Sequence, residues 1–156
     1  MIHPHPTAVV DPYCKIGEGS KIWHFSHVCK GATIGKDCTL GQNVYVGPNA
    51  VIGDRCRIQN NVSVYEGVTL GNDCFIGPSV VFTNVRHPNP VGKAKGYDAT
   101  VVGDRVVIGA NATIVCGVKI GDDAFIGAGA VVTKDVVSMA RVVGNPAREM
   151  KGKGKK

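Results

Sequence analysis

From Leu40 to Phe82, hydrophobic residues return every sixth position: Leu40, Val46, Ile52, Ile58, Val64, Leu70, Ile76 and Phe82. Four places after each, up to Ile76, stands a small or branched residue: Val44, Ala50, Cys56, Val62, Val68, Cys74 and Val80. Glycine directly follows the aliphatic at Gly41, Gly47, Gly53, Gly71 and Gly77. Neither a helical period of 3.6 nor strand alternation produces this pattern; it is a six-residue repeat. Six residues make one short strand and one corner. Three such units close a triangular coil of about 18 residues, and coils stack at roughly 4.8 Å. The aliphatic points inward, and Gly, Asn and Asp at the corners tolerate the positive φ of the turn.

The repeat extends upstream through Val10, Ile16, Ile22, Val28 and Ile34. It stops after Phe82 and resumes at Val102, Ile108, Ile114, Ile120, Ile126 and Val132. These nineteen repeats predict an all-β solenoid of about six coils, one domain over residues 1–150. Residues 1–9 read as a cap, since Pro4 and Pro6 exclude a helix. Residues 84–101, NVRHPNPVGKAKGYDATV, have no repeat and read as a loop extruded from one corner, where function commonly sits. Residues 151–156 are a basic tail.

Eighteen-residue phasing stacks corners into columns. Trp23, Gly41, Gln59 and Gly77 share one; His24, Gln42, Asn60 and Pro78 the next; Phe25, Asn43, Asn61 and Ser79 the third. One prism edge therefore gathers His24, Gln42, Asn43, Gln59, Asn60 and Asn61. They read either as an amide ladder or as a row of donors and acceptors for a polar ligand. Trp23, His24 and Phe25 put aromatics where a corner normally takes Gly, Asp or Asn. They must pack on the cap, another subunit or a ligand. Gly109–Ala110 and Gly127–Ala128–Gly129 leave their corners almost without side chain, suited to a narrow extended ligand.

Composition trims the alternatives. Of the six cysteines, Cys14, Cys38, Cys56 and Cys74 fall in the small inward slot, so they read as buried hydrophobes and not as disulfides or metal ligands. Free thiols, the lack of a signal peptide and the lack of a long apolar run lead to the expectation of a cytoplasmic protein with no membrane span. The net charge of +6 comes largely from the residues from Arg141 onward and is interleaved with no aromatics, which speaks against nucleic-acid binding. A zinc carbonic anhydrase on such a prism needs three convergent histidines, and after Val28 there is only His87.

Tandem [LIV]-G-x-x-[small]-x units, the single extruded loop, IGAGAVVTKDV and the closing GNPAR resemble the hexapeptide acyltransferases over residues 8–150. The resemblance implies a left-handed parallel β-helix, a homotrimer with active sites between subunits, and acetyl-CoA as co-substrate with no metal. Within that superfamily, WHFSHVCKGATIG, LGQNVYVG, IQNNVSVYEGV, GPSVVFTNV and ATIVCGVKIG look most like bacterial nucleotide-sugar N-acetyltransferases. These include enzymes that acetylate UDP-2-acetamido-3-amino-2,3-dideoxyglucuronate for cell-surface polysaccharide. By that resemblance His24, Gln42, Asn60, Asn61, Tyr65 and Glu66 face the nucleotide sugar, and Arg86, Lys93 or Lys95 pairs with a uronate carboxylate. Asn84 orients the amine or the thioester carbonyl. Gly109, Ala110, Gly127 and Ala128 line the pantetheine arm, while Lys134, Arg148 and Lys151 meet the phosphates of CoA.

The loop reads VRHPNP, and related sugar O-acetyltransferases carry a His-Pro there as general base. His87 is thus a second catalytic candidate. A hydroxyl acceptor would need it, whereas an amine attacks more readily once deprotonated. N-acetylation of a nucleotide amino sugar is the leading expectation. O-acetylation of a sugar or alcohol through His87 and a non-catalytic scaffold remain beside it.

Overall fold

A computed structural model describes residues 1–92 and 96–150. Among these residues all regular structure is β: 22 strands, nearly all of two residues, laid on three faces of a triangular prism. The faces hold nine, seven and six strands. All pair in parallel except the last, Arg148–Glu149, which turns back antiparallel on Arg141–Val143. Twenty-one parallel strands on three faces make about seven coils, one more than the repeat count predicts. The extra strands come from segments without the repeat: His3–Pro4 pairs with Lys21–Ile22, and Arg141–Val143 pairs with Phe125–Ile126. Pro4 is tolerated because it lies on the outermost strand, whose far side needs no donor.

The register is regular. Leu40 sits between Ile22 and Ile58, and Ile58 pairs with Ile76, each step being eighteen residues. The next step, Ile76 to Ile108, is thirty-two, an insertion of fourteen. The insertion is taken up entirely at the edge between the second and third faces. The Asp98 N–H donates to the Asn84 carbonyl at 3.0 Å and closes its neck, and Thr100–Val102 resumes the third face beside Val68–Leu70.

The inward hydrophobic residues Ile22, Ile34, Leu40, Ile52, Ile58, Leu70, Ile76, Phe82, Ile108, Ile114, Ile120 and Ile126 are all but fully buried in one continuous core. Burying such a side chain is worth about 1.5–3 kcal/mol. Cys38, Cys56 and Cys74 stack along one wall of the core as free thiols, each donating to a corner carbonyl of the following coil at 3.0–3.1 Å.

Two separate demands shape each corner. Its first residue lies against the backbone above it: a Cβ on Gly35 would fall 2.6 Å from the Asp54 nitrogen. Its third residue takes the left-handed conformation, as at Asn43, Asn61 and Asn111 (φ 57°, 61° and 57°). Glycine at the first place, where it occurs, accommodates that closeness of coils, while asparagine and aspartate serve at the third because they tolerate that backbone.

Candidate active site

The edge between the first and second faces runs from Trp23–His24–Phe25 through Gly41–Gln42–Asn43, Gln59–Asn60–Asn61 and Gly77–Pro78–Ser79. Because Ile76 pairs with Ile108 and Ile108 with Ile126, the same edge continues as Gly109–Ala110–Asn111 and Gly127–Ala128–Gly129. The amide row and the bare Gly-Ala corners, two features in the sequence, are one edge of the molecule.

Part of the amide row is structural. Asn60 Oδ1 accepts the Gln42 backbone N–H at 2.9 Å, and Asn43 Nδ2 donates to Asn61 Oδ1 at 3.0 Å. Gln42 and Gln59 make no side-chain hydrogen bond among the described residues and are left for a ligand. His24 is not free either. Its ring lies on that of His5, centroids 3.5 Å apart, and Trp23 lies nearly parallel beside it at 6.4 Å. The aromatic corner thus packs on the cap, and it walls a depression of about 300 Å³ floored by Gly41, Gln42, Gln59 and Asn60.

The edge between the second and third faces carries Tyr65, Glu66, Asn84 and the loop. Asn84 Nδ2 donates to the Glu66 carbonyl at 3.2 Å, so Asn84 Oδ1 is turned away from that carbonyl and receives no donor among the described residues. Glu66 Oε1 accepts from Asn49 Nδ2 at 3.4 Å. Tyr65 is partly exposed and lies 5.7 Å from the Tyr45 ring. Arg86 is engaged inside the chain: Nη2 donates to the Cys116 carbonyl at 2.6 Å and Nε to Asp98 Oδ2 at 3.3 Å. Arg86 therefore clamps the loop neck, and its guanidinium is largely spent on that task. The position beneath it is glycine, and a Cβ on Gly117 would lie 2.5 Å from Arg86 Nη2 and push the guanidinium aside. His87 is exposed and has no hydrogen-bond partner among the described residues, so none of them fixes its ring. Lys93 and Lys95 lie outside the described residues.

At the C-terminal end of the prism, Lys134 and Arg148 come together around a depression of about 280 Å³, with Val132, Val136, Ala140 and Val142 as its apolar floor. The antiparallel return of Arg148–Glu149 brings Arg148 there. Both cations are exposed; Asp135 and Glu149 share the lining. Lys151 lies outside the described residues. The sequence reading passed over Asp98, Cys116 and Gly117, whose roles arise only once the insertion length sets them opposite Arg86. It also passed over Tyr45, which the eighteen-residue phasing alone would have placed beside His27.

Residues 99–134 match the bacterial transferase hexapeptide family, and residues 22–93 match the GMPPB C-terminal domain. A hexapeptide-repeat-containing acetyltransferase from Vibrio cholerae is 31% identical, with 72% of each chain covered and a TM-score of 0.57. The chain belongs to the hexapeptide-repeat transferase family. Like the relatives of this family, it builds the left-handed parallel β-helix. A perosamine N-acetyltransferase variant from Caulobacter crescentus, solved with CoA and GDP-perosamine, is 25% identical at a TM-score of 0.56, covering 96% of this chain and 57% of that one. Over 42 residues, 27% of this chain, it is 45% identical to an acyl-[acyl-carrier-protein]–UDP-N-acetylglucosamine O-acyltransferase of Brucella ovis. The matched segment spans only 15% of that enzyme's length. No helix among the described residues is long and apolar enough to cross a membrane.

Proposed function

We propose that this hexapeptide-repeat protein transfers an acetyl group from acetyl-CoA to the amine of a nucleotide-linked amino sugar. The observation that carries the reading is Asn84. Its NH₂ is held by the Glu66 carbonyl, which turns Oδ1 outward as an acceptor at the loop neck, beside Tyr65 and Glu66. An acceptor suits an amine N–H: it orients the lone pair of the neutral amine, and positioning supplies much of the rate. Attack by the amine nitrogen on the thioester carbonyl carbon forms the C–N bond and breaks the C–S bond. The proton released from nitrogen ends on the departing sulfur.

The other features support the same reading. The Gly109–Ala110 and Gly127–Ala128 corners suit a pantetheine arm, and Lys134 with Arg148 suits phosphate. Gln42, Gln59 and the Trp23–His24 wall offer polar contacts and a π face for a nucleotide. The GDP-perosamine and CoA bound by the Caulobacter enzyme favour this substrate class. Within the class, UDP-2-acetamido-3-amino-2,3-dideoxyglucuronate is the acceptor proposed here, for cell-surface polysaccharide, with a homotrimer as the working unit. With Arg86 engaged in the neck, recognition of a uronate carboxylate falls to other residues.

The test is thiol release from acetyl-CoA against UDP- and dTDP-linked 3- and 4-amino sugars and simple hydroxyl acceptors. Turnover confined to amino-sugar nucleotides and lost in Asn84→Ala supports the proposal. Turnover of free sugars or alcohols that vanishes in His87→Ala would replace it with O-acetylation. Absence of both turnover and CoA binding would refute both.

A further inference from the structure

Near the N-terminal end of the loop-bearing edge lies a cluster that the transferase reading does not use. Asp11 follows the strand Val9–Val10, His27 stands on the strand His27–Val28, and Cys29 follows it. Because Asp11 and Cys29 are eighteen residues apart, they occupy the same corner position in successive coils. His27 Nε2 lies 3.1 Å from Asp11 Oδ1 and 3.9 Å from Cys29 Sγ, and one donor atom from each residue lies within 4.8 Å of the others.

The same imidazole nitrogen faces both the carboxylate and the thiol. A Cys-His-Asp relay needs the opposite arrangement, one ring nitrogen for the nucleophile and the other for the carboxylate. Three donors around one point instead describe a ligand set. For Zn–N and Zn–O of about 2.1 Å and Zn–S of about 2.3 Å, tetrahedral angles put N···O near 3.4 Å and N···S near 3.6 Å. The observed separations differ from those values by about 0.3 Å each.

Supporting contacts hold the set in place. Asp11 Oδ2 accepts the Lys30 backbone N–H at 3.2 Å, which fixes the carboxylate plane. The Tyr45 ring meets His27 edge-on at 6.0 Å and limits how the imidazole can turn. Cys29 is buried, while the Asp11 and His27 side chains are 33% and 44% exposed, so a fourth position would open to solvent. The carboxylate and a thiolate together neutralise a doubly charged ion, and the mix of O, N and S donors suits the borderline-soft metals.

We propose that Asp11, His27 and Cys29 form a three-ligand site for a divalent transition metal of the zinc class, with its fourth position open. This proposal stands independently of the transferase reading. The test uses chelator-treated full-length protein titrated with Co²⁺ alone and followed by absorption. Saturation at one equivalent per chain, a thiolate-to-cobalt charge-transfer band, and its displacement by Zn²⁺ are expected. Cys29→Ser should abolish the band. His27→Ala and the near-isosteric Asp11→Asn should weaken binding about tenfold or more. Cys14→Ser, the neighbouring thiol, and His5→Ala, on the cap, should leave it unchanged. Melting curves identify any variant that has lost its fold, and Asp11→Asn keeps the test decisive if the cysteine variant fails. Binding well below one equivalent would overturn the site and leave an ordinary His–Asp ion pair. So would a band that persists in Cys29→Ser, or full affinity in Asp11→Asn.

Discussion

Asn84 Nδ2 donates to the Glu66 carbonyl oxygen at 3.2 Å across two successive coils, directly where the chain leaves the prism. That bond gives the Asn84 amide a defined direction and separates its two ends into an anchored donor and an outward acceptor. Asn84→Ala removes both. Its kcat/KM should fall at least a hundredfold, about 2.7 kcal/mol of transition-state stabilisation, with little change in melting temperature. Asn84→Asp keeps an outward oxygen and should recover part of the loss. Steady-state thiol release with the preferred acceptor reads both.

Arg86 and Gly117 share one space. A Cβ at Gly117 would meet Arg86 Nη2 at 2.5 Å, and the backbone there has φ of +80°. Gly117→Ala should destabilise by about 1–2 kcal/mol through backbone strain and should also displace the clamp, raising KM for the acceptor. Arg86→Ala, whose pair with Asp98 is half-exposed, should change stability by under about 1 kcal/mol and KM by more. In the double mutant the KM effects should be less than additive, since both substitutions release the same neck. Denaturant melts and kinetics on all four proteins test this coupling.

On the edge between the third and first faces, Arg55 meets Asp73 and Arg105 meets Asp123, each with two nitrogens on two oxygens at 2.7–2.8 Å. The arginine hydrogen bonds hold both carboxyls below their ordinary value. A depressed folded pKa favours the fold above the unfolded value of about 3.9 and loses that contribution as pH falls through the folded value. The acid limb of the stability curve below about pH 4 should therefore flatten in Asp73→Asn/Asp123→Asn, with little change at higher pH beyond the lost pairs. Urea midpoints measured from pH 2 to pH 7 give the answer. An unchanged acid limb would remove these pairs from the account.

The core thiols should be chemically silent. The neighbouring Cys56 thiol and burial raise the Cys38 thiol far above its ordinary value and burial raises Cys14, while Cys74, lowered by Cys56, is shut from reagents by its burial. The thiolate is the reactive species. A thiol reagent at pH 8 should label fewer than two of the six cysteines within minutes in the native protein, and all six after denaturation. Rapid native labelling of Cys38 would show that the wall of the prism opens.

The prism was legible from the sequence because a six-residue period leaves no freedom in how side chains point. Leu40, Ile58 and Ile76 had to stack, and they do. The amide column at Gln42 and Asn60 was legible for the same reason. The division of labour within it was not, because backbone N–H groups also compete for Asn60 Oδ1. The outer strands His3–Pro4 and Arg141–Val143 lack the repeat, and only the pairing with Lys21–Ile22 and Phe125–Ile126 reveals that they extend the first face. Arg86 looked like a free cation because the carboxylate and carbonyl that occupy it come from the far end of an aperiodic segment, at Asp98, and from beyond it, at Cys116. The Asp11–Cys29 juxtaposition was available from the eighteen-residue spacing, but the two residue types suggested a polar corner and a small core residue instead of partners.

The fourteen-residue excursion at Asn84 leaves the pairing of Ile76 with Ile108 as regular as that of Ile58 with Ile76. The scaffold is therefore blind to what it carries at that corner. Lengthening, shortening or exchanging the excursion changes the apparatus proposed to meet the acceptor without asking any interior residue to move. Acceptor choice and folding can thus vary separately, so a new specificity on this prism is a matter of exchanging one segment while the barrel of stacked aliphatics stays as it is.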